Sequence, residues 1–306
     1  MLQVNLNHCW TAQQLLAQTV VDRNIDVLLI CDYYRGFGDD PRWVDSADHK
    51  CGLLVTSRRA MPITDKGAGA GYAWARIGGT YYFSCYWTPN CTLQEFDNFL
   101  NGVEWAIWNS VDNLLVAGDF NAHLSEWGSA RDDARGSLLS GLASSLGLLA
   151  YNVGSEPTYS RVNAESVIDV TFARFLPNAN PLVENWSVLT DLDSASDHSY
   201  VEFSVIYLFG ASAAAPVVHP GAAKAWATKK LSPVALEEHW RRTRGASLPL
   251  PTSAPAEDHV AQLQQYLVDS CDAAMPRRTI FQGKRAVHWW CKEIAELRKS
   301  SIAARR

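Results

Sequence analysis

No CxxC pair occurs in this chain, and its 7 cysteines and 8 histidines form no cluster with zinc-ligand spacing. A zinc centre is therefore not the organising feature. An odd number of cysteines without framework spacing indicates reduced thiols in an intracellular protein rather than a disulfide scaffold. Also missing are the GxxxxGK[ST] phosphate loop, the GxSxG nucleophile elbow and the HExxH helix, which removes three large enzyme classes. Gly67-Ala68-Gly69-Ala70-Gly71 lacks GxGxxG spacing and reads as a flexible loop. The opening residues, MLQVNLNHCW, contain neither a basic region nor a long apolar run, so no signal peptide is expected. Residues 203–223 carry no Asp, Glu, Lys or Arg, but Gly210, Pro216, His219, Pro220 and Gly221 interrupt them. A last strand followed by a linker fits that stretch better than a membrane span.

What is present supports a sizeable core. The chain has 306 residues, 47% of them hydrophobic, enough for one large domain with an appendage or for two domains. Twelve Trp is a high count, implying several in the core and others on a binding surface. The net charge of -5 is unevenly spread: residues 211–306 hold 15 Lys and Arg against 8 Asp and Glu, whereas residues 1–210 carry a balance of -12. An acidic body does not exclude a nucleic-acid partner, because carboxylates can hold a metal while a local basic rim meets phosphate.

Apolar patterning gives the architecture. Leu2 to Asn7 alternates as a strand, and Thr11 to Arg23 has helical spacing. Asp26 to Asp32 is an apolar run ending in an acid, and Gly52 to Thr56 is a further short strand. Tyr72 to Ile77 and Thr80 to Tyr86 flank Gly78-Gly79, a hairpin signal. Leu93 to Trp108 reads as a helix with Phe96, Phe99, Leu100, Val103 and Ile107 on one stripe. A strand from Leu114 to Asp119, a helix from Leu138 to Leu149, and strands from Val167 to Ala173 and His198 to Tyr207 follow. Interspersed strands and helices with hairpin connections fit two mixed sheets covered by helices, not a doubly wound sheet. The expected organisation is a domain over 1–207, an Ala/Pro-rich linker over 208–232, and a helical, basic connector over 233–306 ending at Ala303-Ala304-Arg305-Arg306. That ending suggests a fragment of a longer chain.

The chemistry concentrates in Val116-Ala117-Gly118-Asp119-Phe120-Asn121-Ala122-His123. A buried strand delivers Asp119 and Asn121, two residues apart, to its end. One is an acceptor that can polarise a water, the other a neutral donor that can hold an oxyanion. Alone, the pair also reads as an Asx turn. Ser196-Asp197-His198 cannot be a triad, because adjacent residues cannot chain the required hydrogen bonds. His198 instead suits a phosphate contact, with Asp197 as a metal or water ligand. Asp169, in Ser166-Val167-Ile168-Asp169, is the candidate carboxylate behind His198. Asn5 and Asp32 sit at strand ends, and Asp32 is the best-placed carboxylate for Mg²⁺. Tyr86, entering Tyr86-Trp87-Thr88-Pro89-Asn90, is either a phosphate donor or packed. Acidic strand ends with one His and one Asn point to metal-assisted phosphodiester hydrolysis.

In this order the motifs resemble the exonuclease–endonuclease–phosphatase superfamily, and within it the apurinic-type endonuclease domain of non-LTR (LINE-type) retrotransposons. The carrying stretches are Gln3-Val4-Asn5-Leu6-Asn7, Ile30-Cys31-Asp32, Tyr86 to Asn90, Gly118 to His123, Ser166 to Asp169 and Ser196-Asp197-His198. Trp127-Gly128-Ser129 and Asp133-Ala134-Arg135-Gly136 look like insect site-specific elements, and Trp289-Trp290-Cys291-Lys292-Glu293-Ile294 resembles the connector toward a reverse transcriptase. The resemblance covers roughly 1–207. It implies a four-layer α/β/β/α sandwich of two mixed β-sheets flanked by helices, here with a mostly helical C-terminal tail. It also implies Mg²⁺-dependent nicking of one strand of double-stranded DNA, with Mn²⁺ as a substitute, leaving a 3′-OH for target-primed retrotransposition. A linked reverse transcriptase, a nuclear site of action and no membrane association belong to the same reading. Carried over, Asn5 and Asn121 position phosphate or water, Asp119 activates the water, His198 backed by Asp169 contacts the scissile phosphate, and Tyr86 supports that phosphate. Asp32, Asp197 and Asn7 fall at the metal. The family normally places Glu where Asp32 stands, one methylene longer. Two alternatives remain: an apurinic-site DNA repair endonuclease, and a catalytically impaired DNA-binding remnant of a retroelement.

Overall fold

The computed structural model describes residues 1–57, 62–108, 113–174, 181–207, 225–226, 230–243, 256–278 and 289–305. Its first elements are β1 (Leu2–Asn5), α1 (Trp10–Asp22), β2 (Val27–Cys31), β3 (Trp43–Asp45), β4 (Cys51–Val55), β5 (Ile63–Gly69), β6 (Tyr72–Ile77) and β7 (Thr80–Tyr86). Then come α2 (Leu93–Trp108), β8 (Asn113–Asp119), a short 3₁₀ turn at Ser125–Trp127, α3 (Ala134–Ser145), β9 (Leu149–Ala150), β10 (Tyr159–Arg161) and β11 (Ala164–Ser166). The remainder is β12 (Asp169–Arg174), β13 (Pro181–Val188), β14 (Val201–Tyr207), β15 (Ala225–Trp226), α4 (Pro233–Thr243), α5 (Ala256–Ala274), β16 (Arg277–Arg278) and α6 (Lys292–Arg305).

Two six-stranded sheets dominate, in the orders β13-β14-β1-β2-β4-β3 and β5-β6-β7-β8-β12-β9. Both are mixed: β1 runs parallel to β2 and β7 parallel to β8, while the other pairs are antiparallel. The period-two geometry of the central strands sets the layers. On β2, Leu28 and Ile30 pack toward α1 with Leu16 and Val20, while Val27 and Leu29 face the second sheet. On β8, Leu115 and Ala117 meet Leu29 and Leu53 between the sheets, and Leu114 and Val116 join α2 and α3. Three apolar cores thus separate four layers, as expected from the sequence. The stripe Phe96, Phe99, Leu100, Val103 and Ile107 of α2 is buried throughout, each side chain contributing roughly 1.5–3 kcal/mol.

Several expectations need correction. The Gly67–Gly71 segment is not a free loop: Gly67 and Gly69 pair in β5 opposite Trp74 and Tyr72. The cross-strand rings lie over them, so a Cβ at Gly69 would meet the Tyr72 ring at 2.4 Å and one at Gly67 the Trp74 ring at 2.7 Å. Aromatic cover replaces the missing side chains. The helix expected from Leu138 begins at Ala134, because Asp133 caps it by accepting from the Gly136 amide at 2.7 Å.

The backbone divides into two compact units, Met1–Ala214 with Arg285–Arg306, and Ala215–Lys284. The sequence reading grouped 233–306 as one connector. The last helix instead belongs to the first unit, where Arg298 donates to Thr19 Oγ1 at 3.2 Å and to the Asp193 carbonyl at 2.7 Å. In the second unit α4 and α5 pack together, with Trp240 Nε1 donating to Ser270 Oγ at 3.2 Å. Most of the expected linker lies outside the described residues. Among the described residues, no helix is long and apolar enough to cross a membrane.

Gly118 shows how tightly β7 and β8 approach. Its φ is 155°, and a Cβ there would lie 1.8 Å from the Cys85 carbonyl oxygen. Backbone cannot yield as a flexible side chain does, so Gly118→Ala should cost about 3 kcal/mol of folding stability. Urea unfolding of the variant checks this; a midpoint equal to that of the wild type would show that the strands part without cost.

Candidate active site

Strand ends from both sheets meet at one place. Asn5 closes β1 in register with Cys31 of parallel β2, so Asp32 emerges one residue beyond. In the other sheet Tyr86 of β7 pairs with Asp119 of parallel β8, and Asp169 opens antiparallel β12 directly opposite Asp119. The sheets are joined by Asn5 Nδ2, which donates to Asp119 Oδ2 at 2.8 Å. Behind it, Gln3 Nε2 donates to the Gly118 carbonyl at 3.2 Å, and Gln3 Oε1 accepts from Thr171 Oγ1 at 3.0 Å.

Asp119 is 1% exposed. Its Oδ1 accepts from the Asn121 amide at 2.9 Å, and its Oδ2 also accepts from Asn121 Nδ2 at 3.2 Å. Asn121 Nδ2 further donates to the Trp87 carbonyl at 3.0 Å. His198 Nδ1 is bonded to Asp169 Oδ2 at 2.8 Å, and its Nε2 lies 3.9 Å from Asp119 Oδ2. The Tyr159 ring stands edge-on to His198, with centroids 5.0 Å apart. The sequence pairing of His198 with Asp169 and of Asp119 with Asn121 is therefore present in space.

The electrostatics follow from this burial. Removal from water and the Asp169 charge push Asp119 up to about 7, with the His198 cation pulling the other way. Burial disfavours charged His198, but the Asp169 charge and hydrogen bond, helped by Asp119, outweigh it and push His198 up to about 9. Asp119 and His198 lie close enough to influence one another, so a proton between them belongs to the pair rather than to either residue. Tyr86 is pushed well above the ordinary phenol range by burial and by the Asp32 and Asp119 charges, so its hydroxyl remains a donor.

The three residues expected at a metal are only partly gathered. Asn7 Nδ2 donates to Asp197 Oδ2 at 2.8 Å, and Asn7 N donates to Asn5 Oδ1 at 2.8 Å. Asp32 lies across the same floor: its carbonyl accepts from the His8 amide at 2.7 Å, and its Oδ1 is 3.9 Å from Lys50 Nζ. Among the described residues, the group whose ligand atoms lie within 4.8 Å of one another is Asp119, Asp169 and His198. Its His198 Nδ1 is already engaged by Asp169, so the trio is first a proton-holding cluster. Asp169 Oδ1 is nevertheless buried without a hydrogen-bond partner. The buried Asp119 and Asp169 carboxylates form an oxygen-rich donor set, the kind a hard divalent cation takes. Asn7, His8, Asp32, Asn121 and Ala195 all have positive φ without being glycine. Such strain gathers where a site is over-determined by its surroundings.

Some neighbours escaped the sequence reading. Arg161, on the β10–β11 hairpin, donates through Nε to Asp197 Oδ2 at 2.7 Å. Lys50 and Tyr159 likewise reach the site only through chain folding. His123, inside the Gly118–His123 motif, serves its own loop: Nδ1 is bonded to Ser129 Oγ at 3.1 Å, and Nε2 accepts from Arg131 at 3.0 Å.

Residues 80–202 match the family described as endonuclease-reverse transcriptase. Among solved structures, the endonuclease domain of TRAS1, a telomere-specific non-LTR retrotransposon, is similar at 26% identity and a TM-score of 0.53, covering 67% of this chain and 96% of that one. The 3′ phosphatase NExo from Neisseria, bound to product DNA hairpin, aligns at 16% identity and a TM-score of 0.52, covering 68% and 98%. An AP endonuclease from Archaeoglobus fulgidus shares the fold at 9% identity and a TM-score of 0.50, covering 67% and 98%. No curated protein matches the sequence. The fold and the resemblance read from the motifs are borne out.

Because Asp119 holds its proton more tightly when folded, stability should fall as pH rises from about 4 to about 7 in metal-free protein. In that window the unfolded carboxylate has lost its proton and the folded one has not. Asp119→Asn removes this titration, so the variant should gain stability relative to wild type across the window and hold its gain above it. Urea unfolding in chelator at several pH values measures the difference; a difference that stays flat or moves the other way sinks the argument.

Proposed function

We propose, on the premise that this chain is a member of the exonuclease–endonuclease–phosphatase superfamily, that it is a Mg²⁺-dependent endonuclease. Its substrate on this reading is one strand of duplex DNA, and its product a 3′-OH end that primes reverse transcription. The observation that carries the reading is the buried Asp119–His198–Asp169 cluster at the meeting point of the two sheets.

Asp119, held by Asn5 and Asn121, accepts the proton of the attacking water. The water oxygen forms a bond to phosphorus, the P–O3′ bond breaks, and the leaving oxygen takes a proton from solvent to become the 3′-OH, the water's own proton staying on Asp119. Protonated His198, fixed by Asp169, faces the phosphate oxygens through Nε2 as charge builds on them. The Tyr86 hydroxyl supplies a neutral donor to the same phosphate, while the Asn121 carboxamide, with its N–H groups on Asp119 and the Trp87 carbonyl, holds the base in position. Asp32, Asp197 and Asn7 would hold the cation through their side-chain oxygens. When bound, a divalent cation supplies charge neutralisation at the phosphate and leaving oxygen.

The match to an endonuclease-reverse transcriptase family and the TRAS1 domain support a retroelement role over stand-alone repair. The likeness to the AP endonuclease, at 9% identity, supports only the fold. A linked reverse transcriptase and a chromosomal, hence nuclear, target belong to the proposal. Mn²⁺ should substitute for Mg²⁺.

Purified protein should convert supercoiled plasmid to open circle with Mg²⁺, and Asp119→Asn should lower the rate on the order of 10²-fold or more while DNA binding survives. Absence of nicking by wild type with either Mg²⁺ or Mn²⁺ would leave a DNA-binding remnant as the better reading. Retained nicking by the variant would put the base elsewhere.

Asp32→Glu restores the longer side chain usual in the family. It should lower the Mg²⁺ concentration needed for half-maximal rate. A higher or unchanged requirement would mean that the site is fitted to Asp, or that residue 32 is not a ligand.

A further inference from the structure

The ends of β7 and β8 and the loops that follow them carry three residues of the proposed machinery, Tyr86, Asp119 and Asn121, and one side chain outside that set ties the two loops together. Arg135, in the first turn of α3, donates through Nη1 to the Asn121 carbonyl at 3.0 Å and through Nη2 to the Thr88 carbonyl at 2.8 Å. Nη2 also meets Cys91 Sγ. The guanidinium lies over the Phe96 ring of α2, 4.8 Å from its centroid.

The local sequence holds Arg135 in place. Asp133 Oδ1 accepts from both the His123 and Gly136 amides, at 3.2 and 2.7 Å, which locks the first turn of α3 to the loop after β8. At Gly136 a Cβ would lie 2.0 Å from the His123 carbonyl oxygen, so helix and loop approach to backbone contact. A cation in the first turn has the wrong sign for the helix dipole. Its retention there needs another cause, and the two carbonyls provide one.

We propose that Arg135 is a positioning residue for the hydrolysis described above, acting through Asn121 and the Tyr86-Trp87-Thr88 segment. Asn121 has φ 47°, in the left-handed region that Asn adopts more readily than most residues with a side chain. Arg135 grips that residue's carbonyl while its carboxamide reaches the Trp87 carbonyl and Asp119. Both adjacent carbonyls, Trp87 and Thr88, are thereby caught, one by Asn121 and one by Arg135. Tyr86, immediately before them, inherits a fixed direction. Lysine cannot replace this fork, because a single ammonium does not span two carbonyls in one plane. Displacing reacting groups by about 1 Å can cost on the order of 10²-fold in rate.

The inference rests on the endonuclease reading, and the test separates the two. Single-turnover plasmid nicking is measured for wild type, Arg135→Ala, Arg135→Lys and Asn121→Ala, and for the two doubles with Asn121→Ala. Both Arg135 variants should lose about 10-fold or more in rate at unchanged half-saturating DNA concentration. Added methylguanidinium should restore part of the Arg135→Ala loss. In the Asn121→Ala background the same Arg135 changes should cost clearly less, because the carboxamide they orient is gone and only the path through the Thr88 carbonyl and Tyr86 remains. An equal loss in both backgrounds, or a loss that disappears on cooling the sample further below its melting point, overturns the proposal in favour of a merely structural role. Arg135→Lys keeps the charge and the stem, so it remains informative if the alanine variant does not fold. A second readout needs no turnover: the Asn121 side-chain amide protons should exchange with solvent faster in Arg135→Lys than in wild type. Unchanged exchange overturns the proposal even if wild type shows no nicking, an outcome that would count separately against the endonuclease reading.

Discussion

The hydrogen bond from Asn5 Nδ2 to Asp119 Oδ2 joins the two sheets at the point where a carboxylate is nearly sealed from water. An unpaired buried carboxylate is costly, and it is tolerated only when donors surround it. Here the donors come from β1 in one sheet and from the loop after β8 in the other, while His198, just before β14, brings a cation near the same Oδ2 oxygen. The sandwich must close for the charge to be satisfied, and the satisfied charge in turn fixes how the sheets meet. Stability and chemistry are thus coupled through one side chain. The coupling is antagonistic, because the burial that makes Asp119 a better base also penalises its ionised form.

The parts of this arrangement that were legible in the sequence are those written in local pattern. Leu28-Leu29-Ile30 and Leu114-Leu115-Val116 are apolar on both faces because each strand is covered on both sides, and each run ends in an acid that marks its exit from the core. The α2 stripe is legible for the same reason. Strand β5 was not, since Gly67 and Gly69 look like a loop until Trp74 and Tyr72 are known to lie across from them. Strand β13 hides behind an irregularity between Glu184 and Ser187, where Asn185 adopts φ 55° and the alternation breaks. The contacts of Arg135, Arg161 and Lys50 depend on partners far along the chain, for which a single sequence has no signal. The site residues stand out by contrast, because their chemistry is unusual at the ends of apolar strands.

The departures from ordinary backbone geometry follow the same logic. Asn7 and His8 leave β1, Asp32 leaves β2 and Asn121 leaves β8, each through a left-handed turn that a glycine would make more easily. A glycine would make the turn but carry no functional group. The side chain is retained at the expense of local strain, and interactions such as the Asn7 amide to Asn5 Oδ1 offset that strain.

The direct pairing of Asp169 with Asp119 across β12 and β8 has a consequence for how such a gene can decay. Strand side chains alternate faces, so a slip of one residue in either partner would send the carboxylate to the opposite face of the sheet and bring its neighbour inward. The two strands behave like a ruled scale on which only one alignment carries the reaction. A three-base deletion inside either strand, although it preserves the reading frame, would then erase activity as completely as a stop codon, while a point substitution on an exposed hairpin would pass unnoticed. Function should therefore be lost abruptly through length changes in the inner strands and only gradually through substitutions at the rim.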